Sequence, residues 1–369
     1  MRVLHINCNY IGTTLHQLMI ENLDSLGCHN QVFVPTYDKN LTVINPNSNV
    51  CVCECFNKLD RVFFDYKQKK IRKGLESNIL VGEYDLIHAY TLFTDGNCAR
   101  TLSKKYNIPY VVAIRNTDVN DFFRLMPHLR DRGIQIMLDA SAVFFLSSAY
   151  RNLVFNKYID SRYTELIEKK SFIIPNGIDS YWLKNIQEKQ KTINPKSIRL
   201  IYAGRIDRNK NIPTIQKAMN ILNERGITCK LMVIGKVDDK KEYKRIKLDK
   251  NTQYFSPMQK EKLIEYYRDA DIFVMPSFTE SFGLVYAEAM SQGLPVIYSK
   301  GQGFDGQFSE GIIGYHVDPS NPEDVADGIK HIVESYSYIQ NNVAQSSKSF
   351  DWKKITEKYV DVYKHILNI

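Results

Sequence analysis

Residues 271–297 read DIFVMPSFTESFGLVYAEAMSQGLPVI. DIFVM is a short, mostly apolar run that ends at Pro276, as expected of a parallel strand covered on both faces. A polar loop follows, Gly283 marks the start of a helix, and LPVI is the next strand. Strand, helix and strand in so short a span make a crossover unit whose two strands run parallel. The alternation continues outward. Before it come IRLIYAG (198–204), KLMVIG (230–235) and TQYFS (252–256). A separate series runs VLHIN (3–7), QVFVP (31–35), VCVCECF (50–56), DLIHAY (85–90), YVVAI (110–114), AVFFL (142–146) and SFIIP (171–175). Between the series, residues 180–197 turn polar and Pro195 interrupts. The pattern predicts an α/β protein of two Rossmann-like, doubly wound parallel-sheet domains, 1–180 and 197–351, facing across a cleft.

Composition narrows the function classes. Of 369 residues, 24% are charged and 44% hydrophobic, which excludes disorder as the main state. With 18 Gly, 12 Pro and 7 Cys, collagen-like and disulfide-scaffold classes fail too. The net charge of +8 is spread along the chain, without the single stripe of a nucleic-acid binder. One local cluster stands out, KLDRVFFDYKQKKIRK from Lys58 to Lys73, which interleaves cations with Val62, Phe63, Phe64 and Ile71. It reads either as a solvated helix face or as a helix resting on anionic lipid. Cys51, Cys53 and Cys55 alternate and so share one strand face, as core thiols more than as zinc ligands. An odd cysteine count speaks for reduced thiols. The N-terminal MRVLHINCNYIG lacks a signal layout, and no run of about 18 apolar residues occurs. The expectation is a cytoplasmic protein, at most peripheral at the inner face of the plasma membrane.

Ligands of such sheets bind at the carboxyl ends of the strands. The dinucleotide fingerprint is absent there: NCNYIGTTLHQ offers only Gly12, and Gly235 is also a lone turn glycine. Gly12 can let backbone amides approach a phosphate. After IRLIYAG, Arg205 and Lys210 straddle a turn, so a planar fork and a point charge can aim at one diphosphate. In the 271–297 stretch, Glu280 and Glu288 bracket a helix N-terminus, whose free N–H groups attract an anion. Carboxylates beside such a cradle accept hydrogen bonds from hydroxyls. Anion cradle plus hydroxyl acceptors describes a nucleotide-sugar site.

The segment P-S-x₂-E-x₇-E with A-M-x₂-G-x-P-V-I, together with I-P-N-G-I-D at 174–179 and G-R-x₄-K at 204–210, resembles the GT-B retaining glycosyltransferases of family 4. The likeness runs over most of the chain in the right order. It implies a nucleotide-diphosphate-sugar donor, UDP-sugar favoured and GDP-sugar as the variant, held by the C-terminal domain. It implies a glycan or lipid-linked saccharide acceptor held by the N-terminal one. By the resemblance Arg205 and Lys210 match the diphosphate pair, Glu288 the ribose glutamate and Glu280 the glutamate near the donor sugar. Phe282, Gly283 and Leu284 offer backbone amides, and Gly12 matches a glycine turn facing the donor. Arg115 stands where many members place a histidine, and His88 is a separate family-like position. With Asp118 and Asn120 in the loop 116–130, these are the acceptor-side candidates. Asn176 and Asp179 fit the segment joining the domains. The final helix, 352–369, is expected to pack back on the N-terminal domain, as in family members.

The implied chemistry needs no metal or other cofactor. Arg205, Lys210 and the helix N-terminus oppose the charge that grows on the leaving diphosphate. The D-A-D at 269–271 imitates a metal motif but precedes strand DIFVM, so it reads as a helix terminus. Retention at the anomeric carbon is implied by the resemblance, with no protein nucleophile. The Lys-, Asn-, Ile- and Tyr-rich wording fits an AT-rich bacterium and hence surface-polysaccharide assembly. A sugar-nucleotide epimerase of the same fold and a non-catalytic sugar-nucleotide binder are the competing readings.

Overall fold

The computed structural model describes residues 1–11, 14–38 and 49–369. The chain divides into two compact units, Met1–Gly177 with Trp352–Ile369, and Ile178–Asp351. The first unit carries β1 (Arg2–Ile6), β2 (His29–Thr36), β3 (Val50–Glu54), β4 (Leu86–Ala89), β5 (Tyr110–Ile114), β6 (Ala142–Phe145) and β7 (Ser171–Ile173). They form one parallel sheet in the order β3-β2-β1-β4-β5-β6-β7. The second unit carries β8 (Ser197–Ala203), β9 (Thr228–Ile234), β10 (Thr252–Phe255), β11 (Ile272–Val274), β12 (Val296–Ser299) and β13 (Gly314–Val317). These also run parallel, in the order β10-β9-β8-β11-β12-β13.

The apolar strand runs explain this layering. All residues of β4, β5, β6, β11 and β12 are buried, because crossover helices cover both faces. The helices bury one stripe each. In the helix Ile212–Glu224 the inward residues are Ile212, Ile215, Ala218, Met219 and Leu222, at helical spacing. In each sheet the winding reverses once, between β1 and β4 and between β8 and β11. Loops leaving those paired strand ends diverge and open a crevice for a ligand.

One reading from the sequence shifts. The polar stretch 180–197, read as the boundary, packs in the second unit. Trp182 is buried there beside Tyr267, ring centroids 5.6 Å apart, and Lys191 pairs with buried Asp271 at 2.8 Å. Its polar residues act as clamps, so composition alone misplaces the boundary. Asp271 also accepts from the Arg199 backbone N–H at 2.8 Å, while Asp269 ends the helix Lys260–Asp269. D-A-D therefore fastens the amino ends of β8 and β11, away from the loops at their carboxyl ends. The last helix, Trp352–Leu367, turns Trp352, Ile355, Tyr359 and Tyr363 onto the first unit's core of Val3, Met19, Leu23 and Phe144. Cys51, Cys53 and Cys55 pack, half-buried, against the core from the edge strand β3, and all seven thiols are free.

Candidate active site

The reversal point of the second sheet gathers the donor-side candidates. β8 ends at Ala203, and Gly204 and Gly235 come so close that a Cβ on Gly235 would lie 1.8 Å from the Gly204 carbonyl oxygen. Gly235 is therefore structural in its backbone, whatever it offers a ligand. The Arg205 carbonyl accepts from the Tyr202 hydroxyl at 2.5 Å. The Arg205 guanidinium is 65% exposed and lies 3.6 Å from Asp238.

A short turn, Arg208–Lys210, then begins, capped by Asp207, whose carboxylate accepts from the Lys210 N–H at 3.0 Å. This cap holds the backbone of Lys210 in the turn. Its Nζ reaches Glu280 Oε2 at 2.6 Å, with the two side chains 13% and 11% exposed. Glu280 arrives from the loop after β11, so the pair joins the two strands that flank the reversal point. The ion pair is nearly dry, and each charge needs the other.

Three residues not singled out in the sequence hold this pair. Asn209 donates to the Thr279 carbonyl at 2.8 Å and accepts from the Thr279 N–H at 2.9 Å, sewing the lysine turn to the glutamate loop. Gln302 accepts from the Glu280 N–H at 3.0 Å, and the Gly303 N–H donates to the Glu280 carbonyl at 3.1 Å. A Cβ on Gly303 would stand 1.8 Å from the Ser281 carbonyl oxygen, so only glycine lets the loops touch. The turn residues of R-x₄-K look like spacers in one dimension, and Gln302 and Gly303 lie after β12. Neither spacing points to Glu280.

Gly283, with φ +77°, precedes the helix Leu284–Ser291, whose first N–H groups have no acceptor within the helix and no side-chain cap. The Phe282 ring is buried between Phe304 and Phe350, which leaves its backbone for a ligand. Leu284 opens the helix. Glu288 lies half-buried one turn further on, and burial, with Asp179 nearby, pushes its carboxyl up to about 7. Lys260 and the Trp182 indole act in the opposite sense. Asp179 itself accepts from Lys260 Nζ at 2.5 Å and from the Tyr181 N–H at 2.8 Å, where it starts a short helix. The arrangement places a cation, an anchored carboxylate and a helix N-terminus together, with a second carboxylate along the helix. That set can hold a diphosphate at one end and hydroxyls at the other.

The acceptor-side candidates fare differently. His88 is fully buried, stacks on Tyr90 with ring centroids 4.4 Å apart, and shares a 2.5 Å hydrogen bond with the Tyr363 hydroxyl. It fastens the last helix to β4 and presents nothing to an acceptor. Asp118 is also fully buried, accepting from the N–H groups of Leu92, Phe93 and Arg115 at 3.0, 3.2 and 2.9 Å. Burial raises its pKa to about 6 against those hydrogen bonds, and it too is a brace. Both assignments fail because sequence shows a polar side chain but not which way it points. Arg115 and Asn120 remain half-buried after β5. Arg115 donates to the Tyr90 carbonyl at 3.3 Å and to Asn176 Oδ1 at 3.1 Å, and Asn120 donates to Asn116 Oδ1. Asn176 thus orients Arg115. Asp95, at the reversal point of the first sheet, is buried beside the Cys8 N–H at 3.3 Å, and burial pushes it up to about 7. Gly12 lies outside the described residues.

Solved structures share this architecture. Sucrose-phosphate synthase from Thermosynechococcus elongatus aligns with a TM-score of 0.74 at 19% identity, over 100% of this chain and 99% of its own. HepE from Anabaena, solved with UDP and glucose, aligns with a TM-score of 0.66 at 16% identity, over 98% of each chain. The shared fold is that of the GT-B glycosyltransferases, two parallel-sheet α/β domains. A D-inositol 3-phosphate glycosyltransferase of Paenarthrobacter aurescens (strain TC1) is 26% identical over 317 residues, 78% of this chain and 74% of that one. Residues 184–349 match the family model described as glycosyl transferases group 1. That stretch is similar to the group 1 glycosyl transferases, and together with the relatives it marks the chain as a glycosyltransferase.

Proposed function

We propose that the enzyme moves a sugar, with retention, from a nucleotide-diphosphate sugar to a glycan or lipid-linked saccharide. We place the reaction in the cytoplasm, in assembly of a bacterial surface polysaccharide. The observation that carries the donor assignment is the buried Lys210–Glu280 pair at the β8/β11 reversal point, beside the helix that Gly283 opens. A UDP-sugar is the favoured donor and a GDP-sugar the variant. The UDP complex of the structurally similar Anabaena protein supports this preference.

In this reading the bond between the anomeric carbon and the diphosphate oxygen breaks, and the acceptor hydroxyl oxygen takes its place. The proton of that hydroxyl leaves with the diphosphate. Lys210, the helix N-terminus and Arg205, which is free to swing inward from Asp238, oppose the negative charge as it grows. Glu280 accepts from the sugar hydroxyls and Glu288 from the ribose, while backbone N–H groups of Phe282, Gly283 and Leu284 line the phosphates. Arg115 and Asn120 meet the acceptor. The cations supply the charge that a metal would, so the proposal includes no metal or other cofactor.

A melting panel with UDP, GDP, ADP, CDP and dTDP, with and without EDTA, tests the donor assignment. A ligand of the native state raises melting by mass action. One diphosphate, UDP foremost, should shift melting most, equally with EDTA, and release of that diphosphate should accompany sugar transfer. No shift from any nucleotide would sink the reading.

A further inference from the structure

The segment 58–73 holds seven cations and two acids in sixteen residues, net +5 of the chain's +8. It begins with a turn, Leu59–Arg61, and continues as the helix Phe64–Asn78. The inner side is fastened. Ile71 and Leu75 are fully buried in the core, Gln68 donates to the Thr94 carbonyl at 3.1 Å, and the Phe64 ring meets Phe122. Asp60 braces the turn, accepting from the Asn57 N–H and from Lys70 Nζ, both at 2.7 Å.

The outer side is apolar at its tip. Leu59 and Val62 are each 77% exposed, Phe63 68% and Tyr66 54%. Four large side chains presented together by a braced turn are not the scattered apolar residues of an ordinary surface. Within the helix, Tyr66, Lys69 and Lys73 follow at spacings of three and four, so they line one face behind that tip. Lys58, Lys69 and Lys73 are exposed around and behind the tip. The acids are engaged elsewhere, Asp60 with Lys70 and Asp65 with Arg132.

We propose that this tip docks on an anionic lipid surface, with Leu59, Val62 and Phe63 entering the headgroup–acyl boundary and the lysines contacting lipid phosphates. The order of chemistries argues for that occupant. A bilayer edge is apolar below and negative above, and lysine stems can lie along the apolar zone while their ammonium groups stay with the headgroups. A nucleic-acid backbone would match the charge but gives Leu59 and Val62 nothing to enter. Among the described residues no helix is long and apolar enough to cross a membrane, so this contact is one of surface docking. It stands independently of the donor and acceptor assignments.

Flotation of the full chain with vesicles tests it. Phosphatidylcholine vesicles containing a third phosphatidylglycerol should carry the protein, and pure phosphatidylcholine should not. Each surface cation contributes about a fivefold change in binding, so Lys69→Glu/Lys73→Glu should weaken it at least about 25-fold. Leu59→Ser/Val62→Ser/Phe63→Ser should abolish flotation while melting and transfer to a soluble acceptor match the parent, since these side chains lie outside the core. A Phe63→Trp probe should shift to the blue with anionic vesicles alone. Failure of the parent chain to float, or flotation that survives the triple substitution, would overturn the proposal. So would a dimer in solution that the triple substitution dissociates, which would make the tip an interface between copies.

Discussion

Replacing Lys210 by methionine removes the cation 2.6 Å from Glu280 and keeps an unbranched stem in its place. At an effective dielectric near 20, unit charges this close attract by about 6 kcal/mol, and burying them costs several kcal/mol each. The intact pair is therefore nearly neutral for stability, whereas stranding Glu280 is costly. Its Oε1 still accepts from the Ser281 N–H at 3.0 Å, which places the expected loss at the lower end of the usual range, about 3 kcal/mol. For a unit the size of Ile178–Asp351 that lowers melting by roughly 10 °C. Adding Glu280→Gln removes the stranded charge and should restore most of the loss. The chain holds two tryptophans, Trp182 in this unit and Trp352 in the other. A Trp352→Phe background thus lets Trp182 fluorescence report this unit's melting alone. Activity should behave oppositely, falling on the order of a hundredfold or more in each single variant and staying low in the double one. Equal melting of Lys210→Met and the double variant would refute the coupling, and full turnover in either would remove the pair from the chemistry.

Three other expectations follow from the same geometry. Gly303→Ala should raise the donor KM at least about tenfold by pushing Ser281 and Phe282 aside, whereas Gly301→Ala, with open space around its Cβ, should cost about 1–2 kcal/mol of backbone strain with KM unchanged. Because the Glu288 carboxyl is raised to about 7, it protonates as pH falls from 8 to 6, so the donor KM should rise over that window and Glu288→Gln should be flat. The sign for stability is opposite: with its folded pKa above the ordinary value, this group favours the folded unit more as pH falls through 7 toward the unfolded carboxyl range. His16 is lowered to about 3, chiefly by burial and further by Arg115, so its contribution to stability is lost as pH falls below about 6.5 toward 3. His16→Gln should move the acid midpoint of the first unit, followed by Trp352, to lower pH; an unchanged midpoint would mean the ring is not held neutral.

Much of this architecture is legible in one dimension. A buried parallel strand must be apolar throughout and a crossover helix must bury one stripe, so DIFVM, YVVAI and AVFFL declare themselves, and with them the strand ends where ligands bind. Arg205, Lys210, Glu280, Gly283 and Glu288 fall at those ends for the same reason. Side-chain direction and long-range contact are not written locally. His88 and Asp118 look like acceptor groups and are buried braces, because the face a polar residue takes depends on what packs over its strand end. Asn209, Gln302 and Gly303 look like filler and hold Glu280, since the contacts that give them a role cross 70 and more than 20 residues of chain. The polar run 180–197 looks like a linker, yet Lys191 clamps Asp271 at the root of β11. Which segments are strands and which ends carry charge can be read along the chain, because burial imposes composition. Which of those charges meet depends on folding, because two residues become partners through the winding of the sheet that brings β8 beside β11.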